Sequence, residues 1–121
     1  MTADIDDLAA RAERDRERFE PPADPPDEER AMRFLREGVG PAVWVYVEAH
    51  SGGTHDRFDP EEFRRLEGAM NEWFELYTRC YGVDLDARFT VREAAELLLR
   101  THNVRDVAQL LTHVPERDRG S

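Results

Sequence analysis

The sequence predicts an all-α protein: a compact bundle of about five helices around a central helix at residues 60–81, plus an N-terminal helix. Apolar residues recur three and four positions apart over most long segments, which is the period of an amphipathic helix. Helix-starting residues, Asp59, Thr90 and Asn103, precede these segments. Prolines stand at first-turn positions, as at Pro25 and Pro60.

The first 29 residues combine a charged helix with a stiff spacer. Asp4 can cap a helix over residues 4–19, and residues 20–29 hold four of the chain's seven prolines. Proline disfavours helix at its own position and in the residue before it. We therefore expect three parts. They are residues 1–23, an arm or docked helix with its spacer, residues 24–115, the helical domain, and residues 116–121, a polar tail.

The segment at residues 40–53 is ambiguous between helix and strand. It follows a helix that starts near Asp24 and for which Gly38 is a natural stop. Its apolar run is rich in valine and aromatic residues, which favours a strand. Its flanking glycines and Pro41 favour a buried helix, which we prefer. The alternative is a short two-stranded ribbon of residues 42–47 and 83–90.

The central helix has the strongest signals in the chain. Asp59 and Glu62 form a capping-box pattern around Pro60, and Gly82 ends the helix. A broad apolar stripe follows it, which is typical of the middle helix of a bundle. The stripe consists of Phe63, Leu66, Met70, Trp73, Tyr77 and Cys80.

Residues 90–111 predict a hairpin of two capped helices, starting at Thr90 and Asn103. We expect Leu98 and Leu111 to be buried against Trp73 or Tyr77. The inward-facing set is Val91, Ala94, Ala95, Leu97, Leu98, Val104, Val107, Ala108, Leu110 and Leu111.

The same hairpin, residues 90–113, has the outline of a helix-turn-helix, which would make the protein a transcription regulator. Arg105, Gln109 and His113 would then face DNA. The turn lacks the usual glycine, however, and no arginine cluster is present to contact phosphates. A structural hairpin is the preferred interpretation, and nucleic acid is a disfavoured partner.

The charge balance indicates a particular cellular setting. The chain carries 27 acidic and 17 basic residues, a net charge of −10, and every basic residue is arginine. An acidic surface without lysine stays hydrated in molar salt, so we predict a salt-adapted cytoplasm. The single cysteine, Cys80, fits a reducing compartment, and no apolar run is long enough for a membrane span.

The sequence predicts neither catalysis nor a bound cofactor or metal. It contains no nucleophile elbow, phosphate loop or HExxH pattern. His50 and His55 are the one close pair among the histidines and the cysteine, and structural zinc normally needs four ligands.

Aromatic residues suggest a binding role instead. They are numerous for a small bundle, and a run that is apolar on all sides must be covered on all sides. Trp44 and Tyr46, in the run of residues 42–47, are the interface candidates. The partner would be another protein or a second copy of the chain, as in a homodimer.

The stretch GVDLDARFTVREAAELLLRTHNVRDVAQLL resembles small acidic all-helical proteins of halophilic archaea without an assigned function. The resemblance covers about residues 30–115 and implies no chemistry. We therefore expect a non-enzymatic, cytoplasmic interaction or adaptor domain, with the transcription regulator as the alternative.

Overall fold

The computed structural model describes residues 5–51 and 58–115, with the backbone alone at residues 50 and 51. Throughout these ranges the regular structure is helical, which confirms the predicted fold class. No helix within them is long and apolar enough to cross a membrane. The elements are α1 (Ile5–Arg18), α2 (Glu28–Phe34), a π-helical turn (Leu35–Val39), α3 (Gly40–Ser51), α4 (Pro60–Arg79), α5 (Val91–Thr101) and α6 (Val104–Thr112).

Helix α4 is the centre of the bundle, as predicted, and every other helix packs against it. Its start is fixed by a capping box, in which Asp59 accepts from the Glu62 N–H at 2.8 Å and Glu62 accepts from the Asp59 N–H at 3.2 Å. Its apolar stripe forms the middle of the core because the other helices pack over it. The buried residues are Leu66, Ala69, Met70, Trp73, Phe74, Leu76, Tyr77 and Thr78.

Helix α1 lies along α4 and contributes Ile5, Leu8 and Ala12 to the core. At its C-terminal end, Asp15 accepts a hydrogen bond from the Trp73 indole N–H at 2.9 Å. From the sequence, this segment could be either an arm or a docked helix. In the structure it is a helix that buries side chains.

Helices α2 and α3 run into one another through the π-helical turn, so the prediction that Gly38 stops a helix is wrong. The Gly40 N–H donates to the Leu35 carbonyl, five residues back. Gly38 is needed for a different reason: a Cβ there would lie 2.3 Å from the Trp73 indole. Pro41 has no N–H to offer the Glu37 carbonyl four residues before it. The guanidinium of Arg11, on α1, donates to that carbonyl instead.

The ribbon alternative is wrong, because residues 42–47 lie inside α3 and residues 83–90 run along α4. We call residues 83–90 the docked segment. From Ala87 to Val91, every second N–H is accepted by a side chain of α4. Ala87 donates to Glu75 at 3.0 Å, Phe89 to Asn71 at 3.0 Å and Val91 to Glu67 at 3.0 Å.

The spacing of these three bonds has a simple geometric basis. Four residues of helix rise about 6 Å, and two residues of extended chain span about 6.6 Å. Acceptors four apart on α4 can therefore pair with donors two apart on an antiparallel extended chain. The alternate N–H groups of this extended chain thus pair with the side chains of a helix instead of with a second strand.

Helices α5 and α6 form the predicted hairpin, with Thr90 and Asn103 as caps. Both helices end on a histidine in the left-handed conformation, His102 at φ 56° and His113 at φ 61°. Leu98 and Leu111 pack against the core but are only partly buried, so their expected burial is only partly realised. Leu110, predicted to face inward, is exposed, because α6 places only Val107, Ala108 and Thr112 fully inside.

Candidate interaction surface

Trp44 is the most prominent feature of α3. Its neighbours Val43 and Val45 are buried, whereas 51% of Trp44 is exposed. The helix is apolar all round at this point, and the bundle covers it on one side only. An indole is the largest apolar side chain, and leaving half of it in water forgoes burial energy that a partner could recover.

Tyr46, the second candidate, has a structural role that the sequence did not indicate. It is half-buried, and its ring packs edge-on against Phe63 of α4, with 6.3 Å between ring centroids. Tyr46 therefore helps to fasten α3 to α4.

Two further apolar side chains are exposed on neighbouring helices. Leu99 of α5 is 55% exposed and Leu110 of α6 is 39% exposed. Helix α3 packs on α5, and α5 packs on α6. The sequence analysis did not name Leu99 and placed Leu110 on the inward face, since helical spacing alone does not tell a partly covered position from a buried one.

The residues proposed to read DNA are not equally available. Arg105 and His113 are exposed. Gln109 is half-buried, and its amide nitrogen donates to the Pro115 carbonyl at 2.9 Å. His113 follows the last turn of α6 as its C-cap. Of the three side chains, Gln109 is thus engaged in holding the main chain that follows α6.

Among the described residues, no group of three or more histidine, cysteine or acidic side chains is arranged to hold a metal ion. The predicted pair His50 and His55 lies outside the described side chains. Cys80 is buried, and this burial raises the pKa of its thiol, although the nearby Arg30 acts in the opposite direction.

A groove of about 560 Å³ crosses α4 between α1 and the docked segment. Its glutamates are engaged: Glu75 accepts from the docked segment, Glu67 accepts from the Val91 N–H at the start of α5, and Glu72 lies 3.7 Å from the Arg16 guanidinium. Desolvation nevertheless raises the pKa of Glu72 above its ordinary value, and Arg16 only partly opposes this shift. The groove is thus built from side chains that hold the fold together.

The buried Tyr77 of α4 is also structural. The Tyr77 hydroxyl donates to the Val114 carbonyl at 2.6 Å, and its ring lies 5.3 Å from that of Tyr81. Burial raises the pKa of Tyr77, so its hydroxyl remains a donor at any physiological pH. This bond ties the end of the described chain to the core.

No curated protein and no solved structure matches this chain. One family model matches, and it spans residues 1–116, a range that includes all the helices from α1 to α6. The chain belongs to the family described as Domain of unknown function (DUF8055).

Proposed function

We propose that this protein is a non-enzymatic, cytoplasmic protein-interaction domain of a salt-adapted cell, with Trp44 at the centre of its contact surface. The observation that carries the proposal is the half-exposed indole on a helix whose adjacent residues are buried. Tryptophan is enriched among the few residues that supply most of the binding energy at protein interfaces.

The polar groups support binding over catalysis. Catalytic carboxylates generally lie in a cleft and are free to exchange protons with a substrate. In the α4 groove, Glu67 and Glu75 accept main-chain hydrogen bonds and Glu72 faces Arg16. Removing any of these groups from its present partner would loosen the docked segment or α1.

The composition supports the proposed setting. A net charge of −10 with arginine as the only basic residue suits a cytoplasm of high ionic strength. At about 1 M salt the Debye length is roughly 3 Å, so long-range charge steers partners weakly. Apolar contacts such as Trp44 would then contribute most of the binding energy.

Co-purification from native lysate at the cell's own salt concentration tests the proposal. We expect Trp44→Ala to lose a specific partner while its circular dichroism spectrum stays that of the wild type. Arg14→Ala is the matched control, since Arg14 is exposed on α1, and it should retain that partner. Equal recovery of every bound protein by both variants would refute the proposed surface.

A further inference from the structure

We propose that two copies of this chain pair edge to edge through the docked segment, as antiparallel strands related by a twofold axis at Ala87. This contact is separate from the proposed surface at Trp44. It rests on the main-chain geometry of residues 84–88 and on their charge pattern.

One edge of the docked segment pairs with α4. Ala87 and Phe89 point their N–H groups at Glu75 and Asn71, and the Asn71 amide also donates to the Phe89 carbonyl at 2.9 Å. In an extended chain, successive residues direct their N–H and C=O groups to opposite edges. The main-chain groups of Asp84, Asp86 and Arg88 therefore point away from α4.

That second edge is open. No other described residue accepts a hydrogen bond from the N–H of Asp86 or Arg88. The side chains of Asp84, Asp86 and Arg88 are 91%, 70% and 83% exposed. An unpaired strand edge is a template for a further strand, and strand addition is a common mode of protein recognition.

The charge pattern selects a second copy as the added strand. Asp86-Ala87-Arg88 read in the reverse direction presents arginine, alanine and aspartate, so an antiparallel copy is complementary to it. Within one copy, the Arg88 guanidinium already bonds the Asp86 carboxylate at 2.9 Å. With the axis at Ala87, each Arg88 also lies opposite Asp86 of the other copy, so the four charges would alternate in sign across the pair. Opposite charges directly across a strand pair stabilise it, whereas like charges destabilise it.

A register centred on Asp86 is less favourable, because it would place the two Asp86 carboxylates opposite each other. The axis at Ala87 avoids this contact. It also places the outward N–H and C=O groups of Asp86 opposite those of Arg88 in the other copy. Each ion pair then lies at a hydrogen-bonded position of the antiparallel ladder.

Net charge opposes the association, since each copy carries −10. Molar salt screens this long-range repulsion down to about 3 Å. The cross-strand ion pairs would span a distance comparable to this screening length, so molar salt weakens them without removing them. The dimer should therefore be measured in molar KCl, at one fixed ionic strength for all variants.

Sedimentation equilibrium over a range of concentrations tests the pairing. The wild type should show a monomer–dimer equilibrium. Arg88→Asp and Asp86→Arg should each raise the dissociation constant about tenfold, because two attractive cross-strand pairs become repulsive. The double variant Asp86→Arg/Arg88→Asp should dimerise like the wild type, and an equimolar mixture of the two single variants should form heterodimers.

Arg14→Asp is the control for charge alone, since it makes the same change at an exposed position of α1, and it should dimerise like the wild type. Circular dichroism confirms that each variant is folded. A wild type that stays monomeric at the highest concentration overturns the proposal. The proposal is also overturned if Arg88→Asp dimerises as tightly as Arg14→Asp, or if only Trp44→Ala abolishes the dimer.

Discussion

Single residues set the closest contacts of this fold. Gly38 lets the π-helical turn approach the Trp73 indole so nearly that any Cβ would overlap the ring. Trp73 is fully buried and held at its N–H by Asp15. The indole therefore has little freedom to move, and the contact between these two residues fixes how the turn sits on α4.

We predict that Gly38→Ala destabilises the protein by about 1–3 kcal/mol or more, the usual cost of overpacking a core. Gly68 is the matched control, because a Cβ there meets nothing within 4 Å. Gly68→Ala in the middle of α4 should instead stabilise by about 0.4–1 kcal/mol. Urea unfolding of both variants checks this. Equal effects of the two substitutions would mean that the Gly38–Trp73 contact does not limit packing.

His102 occupies a position where glycine is normally preferred. Its φ of 56° places it in the left-handed region after α5, which costs a residue with a Cβ about 1–2 kcal/mol. We predict that His102→Gly raises the free energy of unfolding by up to about 1 kcal/mol, after the entropic cost of glycine. His102→Ala keeps the Cβ and should change stability little. Thermal unfolding distinguishes them, and a destabilised glycine variant would indicate a specific role for the imidazole.

At the scale of elements, α4 holds the docked segment mainly through side chains, with one main-chain bond from the Val83 N–H to the Thr78 carbonyl at 3.0 Å. Asn71 both accepts from the Phe89 N–H and donates to the Phe89 carbonyl, much as a neighbouring strand would. Glu67 and Glu75 extend this pairing one turn to either side. The approach of the chain to α5 therefore depends on three polar positions of one helix.

We predict that Asn71→Ala costs about 1–3 kcal/mol, because it leaves two partly buried main-chain groups of Phe89 unpaired. Asn71→Asp keeps an acceptor for the N–H but loses the donor, and should cost less. Native-state hydrogen exchange at the Phe89 amide offers a local readout, with faster exchange in the alanine variant. Unchanged exchange at that amide would contradict the proposed pairing.

Helix α1 contributes core residues despite its charged sequence. Leu8 is fully buried, so we predict that Leu8→Ala costs about 2–5 kcal/mol through lost transfer energy and a residual cavity. Glu13→Ala, at an exposed position of the same helix, should leave stability nearly unchanged. Urea unfolding provides the comparison. If Leu8→Ala is as stable as Glu13→Ala, α1 is not part of the cooperative core.

The features of this fold that the sequence predicts are those that depend on residues close together in the chain. The capping boxes at Asp59 and Thr90 depend on residues three apart, and the stripe of α4 repeats every three or four. The role of Asn71 was hidden because its partner is 18 residues away. Gly38 looked like a helix stop because its contact with Trp73 comes from tertiary packing. Of the two residues selected from the apolar run, Trp44 is half-exposed, whereas Tyr46 is half-buried because Phe63 covers it.

Charge acts on the molecule as a whole. With a net charge of −10, the native state concentrates carboxylates that the unfolded chain would spread apart. We predict that the free energy of unfolding rises as KCl increases from about 50 mM to 1 M, over which the Debye length shortens from more than 10 Å to about 3 Å. Thermal unfolding against KCl concentration measures the effect.

A charge-reduced variant is the control for this salt dependence. Asp7, Glu13 and Glu17 are exposed on α1, and changing them to Asn, Gln and Gln raises the net charge by three units. Its melting temperature should depend less steeply on KCl than that of the wild type. Identical slopes would assign the salt effect to ion-specific hydration, and a flat wild-type curve would contradict a role for charge repulsion.

The central claim is that Trp44 lies in a contact surface for another protein. Site-specific photo-crosslinking in cells, with the reactive side chain at position 44, tests it most directly, and position 14 on the exposed side of α1 is the control. We predict one dominant crosslinked partner from position 44 that is absent from position 14. The same crosslinks from both positions, or none from position 44 while the protein remains folded, would contradict the claim.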